Sequence, residues 1–266
     1  TILYIHPSDS EYDCDPITTR CSNFQELEFS FKMCSFAVYV HALVLTSLCV
    51  TFTVAVIPGT DPTGVADSSA ALNRQLRKLC ETHTNSVTFA VTILDLESGI
   101  YRLESPLSFN ASVTCAGPVI VKDGTLLAGD RLDSDRFLVE AVDYIGERAV
   151  GMTLTFDHVV FESNFTGGGL LANRSSFTTV SNCNFVHFAT YGVWTSGADF
   201  RLDRSTLMEC TAGMIKCEGP TLKATAMFID GADSHFNRNV VACTHIGFVN
   251  NDGDNFYHQN HIWTNC

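Results

Sequence analysis

Short apolar runs separated by Asn, Asp and Gly fill the second half of the chain, and they recur. NCNFVHFATYGVW from Asn182, RSTLMECTAGMIK from Arg204 and RNVVACTHIGFV from Arg238 align, with Gly192, Gly213 and Gly247 at matching points. Gly192 and Gly213 are 21 residues apart, whereas Gly213 and Gly247 are 34 apart, room for one repeat and an inserted turn. DHVVFESNF from Asp157 and HQNHIWTNC from His258 are partial copies. A period just above 20, made of short strands and Asn/Gly corners, predicts a β-solenoid whose repeats contribute parallel strands to shared sheets. The chirality of parallel β connections predicts a right-handed coil. Stacking places Phe185, Leu207 and Val241 together inside, and the corner Asn residues bond backbone or form side-chain ladders.

One segment has a different period. Asp61-Pro62-Thr63-Gly64-Val65 is turn chemistry, and Asp67-Ser68-Ser69 supplies helix N-cap candidates. Ala71, Leu72, Leu76 and Leu79 then recur at helical spacing as a buried stripe, with Arg74, Arg77 and Lys78 outside it. After this helix come SVTFAVTILDL, GIYRL, SVTCAGPVIV and GTLLAG, short β-branched runs without a second long helix. The expected fold is all-β, a right-handed single-stranded parallel β-helix with an N-terminal capping α-helix, which covers an end that would otherwise expose strand edges.

Phe36 to Ile57, FAVYVHALVLTSLCVTFTVAVI, is the most apolar window. With Met33 as start, it reads as a secretory signal peptide over 33–55, ending in Thr53-Val54-Ala55. The competing reading is a signal-anchor helix, so a membrane is a partner only if 36–57 stay uncleaved. Residues 1–32, acidic and without an initial Met, read as a non-native or upstream segment or an incomplete N-terminus, which leaves 56–266 as the β-helix domain. Beyond residue 55 stand Cys80, Cys115, Cys183, Cys210, Cys217, Cys243 and Cys266, an odd set. In an oxidising compartment that implies one free or intermolecular thiol, or a partner beyond Cys266. Asn110, Asn164 and Asn173 begin glycosylation sequons, in keeping with secretion.

Charge narrows the partners. A net charge of −13 and a pI near 4.9 exclude a nucleic-acid surface, which needs clustered Lys and Arg to displace counterions. The same charge repels an acidic polymer unless a local Arg/Lys cluster intervenes. No CxxC spacing or other motif asks for zinc, another metal or a cofactor.

Thr63 to Leu79, TGVADSSAALNRQLRKL, is similar to the capping-helix opening of the pectate-lyase-3 branch of the pectin-lyase-like superfamily. VSNCNFVHFATYGVWTSGADFRLDRSTLMEC and GADSHFNRNVVACTHIGFVNNDGDNFYHQNHIW resemble the coils of a plant polygalacturonase-like group, the QUARTET3-type proteins. The resemblance spans roughly 60 to 266. It implies a secreted glycoside hydrolase acting on uronic-acid-containing cell-wall polysaccharide. A non-catalytic glycan-binding or adhesion protein, a polysaccharide lyase and a β-1,3-glucanase of the same fold are the alternatives. Of the polygalacturonase motifs, Asn251-Asp252-Gly253 resembles N-T-D, while D-D, G-H-G and R-I-K do not occur in the chain. Either the inverting mechanism of that group does not apply, or those coils lie beyond Cys266.

Glycoside hydrolysis needs two carboxyl groups across the scissile bond, one protonated and one ionised. Asp252 and Asp254 are the candidate catalytic pair, since alternation puts both on one side of an extended segment; the plainer reading of Asn250 to Asn255 is a turn. Candidate substrate-binding residues are Asp230, Asp233, His187, Trp194, Arg201 and His258. The acids and imidazoles suit sugar hydroxyls or proton transfer, Trp194 a sugar face, and Arg201, with Arg204, a uronate carboxylate. The simpler accounts are coil corners, core packing, and salt bridges to Asp199 or Asp203. The oligomeric state is not legible.

Overall fold

The computed structural model describes residues 52–54, 57–83, 91–109, 115, 117–142, 153–173, 177–196, 199–210 and 222–263. The expected signal peptide, the segment before it, Gly213, Cys217 and Cys266 lie outside the described residues, apart from the short strand at 52–54. The described residues fall in one compact unit, Val50–Cys266.

The chain goes round in circuits. The first carries β1 (Phe52–Val54), β2 (Thr63–Asp67) and α1 (Ser69–His83), and the second β3 (Val91–Asp95), β4 (Ile100–Leu103) and β5 (Leu107–Phe109). β6 (Val119–Ala128) and β7 (Phe137–Val142) follow, then β8 (Leu154–Glu162) and β9 (Gly168–Asn173). The next three circuits are β10 (Thr178–Ser181), β11 (Asn184–Val186), β12 (Tyr191–Ser196); β13 (Arg201–Asp203), β14 (Thr206–Met208), β15 (Thr225–Asp230); and β16 (His235–Asn237), β17 (Val240–Ala242), β18 (Ile246–Asp252). β19 (Phe256–His258) and β20 (His261–Trp263) come last.

Each strand pairs in parallel with its counterpart one circuit away, which gives three faces. β10, β13, β16 and β19 continue the first face, β11, β14, β17 and β20 the second, and β9, β12, β15 and β18 the third. β6 and β8 each serve two faces, bending at Asp123 and His158, whose φ values are +57° and +54°. Asn182, Arg204, Arg238 and Gln259 take the same left-handed conformation at the equivalent corner of later circuits. Among the described residues the chain is mostly β, with parallel sheets and one helix, which is consistent with an all-β parallel β-helix.

Registry explains the core. Phe161, Phe185, Leu207 and Val241 are successive partners on the second face, all fully buried, and the first two rings stack 4.3 Å apart. The expected Phe185, Leu207 and Val241 column is present. Burying each such side chain contributes about 2 kcal/mol. The position of the insertion differs from expectation. Tyr191 pairs with Thr225 and Thr225 with Ile246, so the residue between Gly192 and Gly247 in the stack is Ala226, not Gly213. The long circuit therefore falls between β14 and β15. Small residues are needed in this row because a Cβ on Gly192 would stand 2.7 Å from the Ala226 carbonyl oxygen.

Helix α1 stands where a third-face strand would precede β5. Ala71, Leu72, Leu76 and Leu79 are buried and Arg74, Arg77 and Lys78 exposed, as the stripe predicts. The free edge of β5 is satisfied by helix side chains. Asn73 Nδ2 donates to the Pro106 carbonyl at 2.9 Å, and Ser108 N–H donates to Asn73 Oδ1 at 2.9 Å. Ser69 Oγ accepts the Glu104 and Ser105 amides. The turn before the helix is held by Asp61, whose carboxylate accepts the Thr63 hydroxyl and the amides of Thr63, Val65 and Ala66. These bonds, the Thr63 hydroxyl foremost, lower its pKa to about 2.

Cys80, on the helix, is disulfide-bonded to Cys115 across 35 residues. Cys210 and Cys243 are also disulfide-bonded, and Cys183 is a buried free thiol whose pKa burial raises to about 12. Loop-closure entropy for a 35-residue ring gives the Cys80–Cys115 bond about 4 kcal/mol. The Cys80→Ala, Cys115→Ala protein is expected to lose about 3 to 4 kcal/mol in a urea titration. An unchanged midpoint would mean that α1 docks without the tether.

Candidate functional site

β15 and β18 are third-face strands of successive circuits. They run in register from Thr225 opposite Ile246 to Ile229 opposite Asn250, then shift so that Asp230 pairs with Asp252. Asn251 is the extra residue, and its Nδ2 donates to Asp230 Oδ1 at 3.3 Å. Such bulges re-aim side chains. Paired Cα atoms on neighbouring strands stand about 4.8 Å apart, so two aspartates occupy adjacent positions at one end of the third face.

The row continues towards earlier circuits. On β12 and β15, Val193, Thr195, Met227 and Ile229 are buried, while Trp194, Ser196 and Phe228 are half-buried and Asp230 is exposed. The outward row therefore includes Asn173, Ser196 and Asp230, with Asp252 the strand partner of Asp230, and the Ser196 hydroxyl donates to Asn173 Oδ1. The neighbouring outward row carries Trp194 and Phe228, rings 5.3 Å apart in a T-shaped contact. Trp194 also meets Tyr191 at 5.1 Å and Phe137 at 6.3 Å, so it belongs to an aromatic cluster beside the acidic row.

The corner after β18 matches the plainer reading, a turn, rather than an extended Asp252–Asp254 segment. Gly253 has a φ of +75°, and a Cβ on it would stand 2.5 Å from the Ala232 Cβ, so alternation does not carry through to Asp254. Asp254 stacks on the preceding circuit instead. The Asp233 amide donates to the Asp254 carbonyl at 2.9 Å, and the Ser234 amide to Asn255 Oδ1 at 3.0 Å. Asn255 Nδ2 returns a bond to the Gly231 carbonyl and another to Asn250 Oδ1, both at 2.9 Å. Asp230, Asp233, Asp252 and Asp254 thus meet as two levels of one corner, paired across strands rather than along the chain.

From this corner the chain enters the first face. Arg201, His235 and Phe256 are successive partners there, and so are Asp203, Asn237 and His258. With Leu202 and Phe236 they line a groove of about 370 Å³. His235 and Phe256 stack at 4.7 Å, and His258 Nδ1 lies 3.0 Å from Asn237 Oδ1. Asp203 is the partner of Arg204, at 2.8 Å, and of Arg238, at 3.0 Å. Of the two arginines whose plainer account is a salt bridge to Asp199 or Asp203, Arg204 makes the bond to Asp203 and Arg201, among the described residues, makes neither.

His187 lies apart from these residues, at the corner after the second face. Its Nδ1 is 2.8 Å and 2.9 Å from the two Glu162 carboxylate oxygens, and its ring meets Phe165 at 4.9 Å. The contact ties one circuit to the next. Ser196 was not singled out in the sequence and Asn173 only as a glycosylation sequon; strand register places them beside Asp230. Glu209 was missed as well. It is buried, and its carboxylate accepts the Lys223, Ala224 and His245 amides, holding the two ends of the long circuit.

No family model matches the chain. Over 201 residues, 72% of its length, the chain is 26% identical to "Polygalacturonase QRT3" of Arabidopsis thaliana, and it spans 41% of that protein. Among solved structures it is similar to "Geobacillus virus E2 - ORF18", with a TM-score of 0.49 and 11% identity over 86% of this chain and 45% of that one. The chain spans less than half the length of each.

Proposed function

We propose that the chain is the polysaccharide-binding and acid-bearing part of a secreted polygalacturonase-like glycoside hydrolase on a right-handed β-solenoid, acting on uronic-acid-containing cell-wall polysaccharide. The observation that carries this reading is the Asp230–Asp252 pairing at a bulge on one end of the third face. Two aspartates paired across adjacent strands supply the two carboxyl groups that glycoside hydrolysis needs. The 26% identity to the Arabidopsis polygalacturonase supports the family-level part of the reading. Asp254 and Asp233 flank the pair and orient sugar hydroxyls, and Trp194 with Phe228 gives the neighbouring row an apolar face for a pyranose ring. Among the described residues no helix is long and apolar enough to cross a membrane; secretion belongs to the proposal.

A second reading, glycan binding without turnover, is favoured by the missing D-D, G-H-G and R-I-K motifs. One assay separates the readings. Incubation with de-esterified pectin, methyl-esterified pectin and β-1,3-glucan is expected to release reducing ends from the de-esterified polymer alone, without an ultraviolet-absorbing unsaturated product. Unsaturated ends would identify a lyase, and binding without release on all three would favour the second reading.

A further inference from the structure

The chain is acidic overall, yet the groove of the first face has a basic rim. Among the described residues Asp203 is the one acid of the groove lining; Arg204 and Arg238 close on it, and Arg201 stands two positions before it on the same strand. That carboxylate is consumed: Arg204 Nε, Arg238 Nε and Nη2, and Asn237 Nδ2 all donate to it. Asp157, further along the same face, is likewise occupied by Ser181 and Asn182. Arg201 is exposed and has no hydrogen bond or ion pair among the described residues. The corner acids Asp199 and Asp233 also make no bond to it. Its fixed charge is therefore available to a ligand.

We propose that this groove is a second saccharide-binding site, distinct from the aspartate row of the third face, and that it takes the carboxylate-bearing units of an acidic polysaccharide. It rests on the reading that the polymer is a polyuronide. Arg201 grips one uronate carboxylate through its planar fork, a geometry that an ammonium does not reproduce. The stacked rings of His235 and Phe256 form a wall against which the apolar face of the sugar lies. His258, with Nδ1 committed to Asn237, offers Nε2 to a sugar hydroxyl. The groove resolves a conflict between charge and substrate: a chain of net charge −13 holds a polyanion through a local cationic island. Because it joins the aspartate corner through residues 231–234, a polymer held here is delivered to the other site at raised effective concentration.

The test is titration of polygalacturonate, and of the same polymer fully methyl-esterified, into the protein by calorimetry at low salt. An Asp230→Asn background prevents turnover. De-esterified polymer is expected to bind about tenfold more tightly than the esterified form. Arg201→Gln should reduce its binding to the level of the ester, and Arg201→Lys should recover only part of the difference. Arg201 is exposed, so a circular dichroism spectrum unchanged by the substitutions is expected. Equal affinity of Arg201→Gln and parent for polygalacturonate, or a parent that does not distinguish the two polymers, would overturn the proposal. Absence of hydrolysis on every polysaccharide would overturn the enzymatic reading and leave this binding result standing.

Discussion

Asp230→Asn is expected to lower reducing-end release from the de-esterified polymer about a thousandfold, the scale of losing one positioned acid or base. The substitution conserves shape, and the new amide oxygen still accepts the bond that Asn251 gives to Asp230. Stability should therefore change little. Asp252→Asn should cost a similar factor, and the double substitution should be hardly worse than either single one, since groups that act as a unit are not additive in their effects. Asp254→Asn, one residue beyond the Gly253 turn, should cost less than tenfold if it orients substrate rather than transferring a proton. The informative quantity is the ranking. Retained hydrolysis in Asp230→Asn, with a deficit confined to Asp254→Asn, would move the chemistry from the third-face row to the corner and reject the cross-strand pair.

That ranking depends on information the sequence holds only indirectly. The corner acids were legible as candidates because four Asp residues crowd around Gly231 and Gly253. Their partnership was not, because a pair along the chain and a pair across strands contain the same letters. One bulged residue, Asn251, decides which aspartates are neighbours. The same limit applies to Arg201. Its suitability for a carboxylate was legible, but whether a nearby Asp neutralises it depends on the neighbouring circuit, where Arg238 takes Asp203 instead.

The core was easier to read for a physical reason. A buried column needs only apolar residues recurring at the circuit length, and Phe185, Leu207 and Val241 satisfy that without knowledge of any corner. The capping stripe of α1 was legible on the same ground. The long circuit was misplaced because Gly213 imitates the small residue that close approach demands, while Ala226 performs that role. Glu209 escaped notice for the opposite reason. A lone acid has no pattern, and its three amide donors come from positions 223, 224 and 245.

Asn239→Ala is expected to destabilise the fold by about 3 to 4 kcal/mol, read as a lower urea midpoint at unchanged slope. Asn239 is fully buried at the corner between the first and second faces. Its Oδ1 accepts the Ser205 amide at 2.9 Å, and its Nδ2 donates to the Leu202 carbonyl and to Asn260 Oδ1, both at 3.0 Å. Alanine leaves Ser205 N–H and Leu202 C=O without those partners inside the stack, and each orphaned group costs about 1 to 3 kcal/mol. The preceding circuit supplies the control. There Ser205 occupies the equivalent place, and its hydroxyl accepts the Cys183 amide at 3.1 Å. Asn239→Ser should therefore restore an acceptor for Ser205 N–H and recover about half of the loss. Asn239→Asp should fare worse than serine, because it buries a charge and removes the donor that Leu202 and Asn260 require. Asn260→Ala, at a half-buried rung, should cost less than Asn239→Ala because water can replace part of what is lost. A parent-like midpoint for Asn239→Ala would mean that strand pairing alone fixes the corner. In that case the side-chain ladder would contribute nothing to the registry on which the Asp230–Asp252 pair depends.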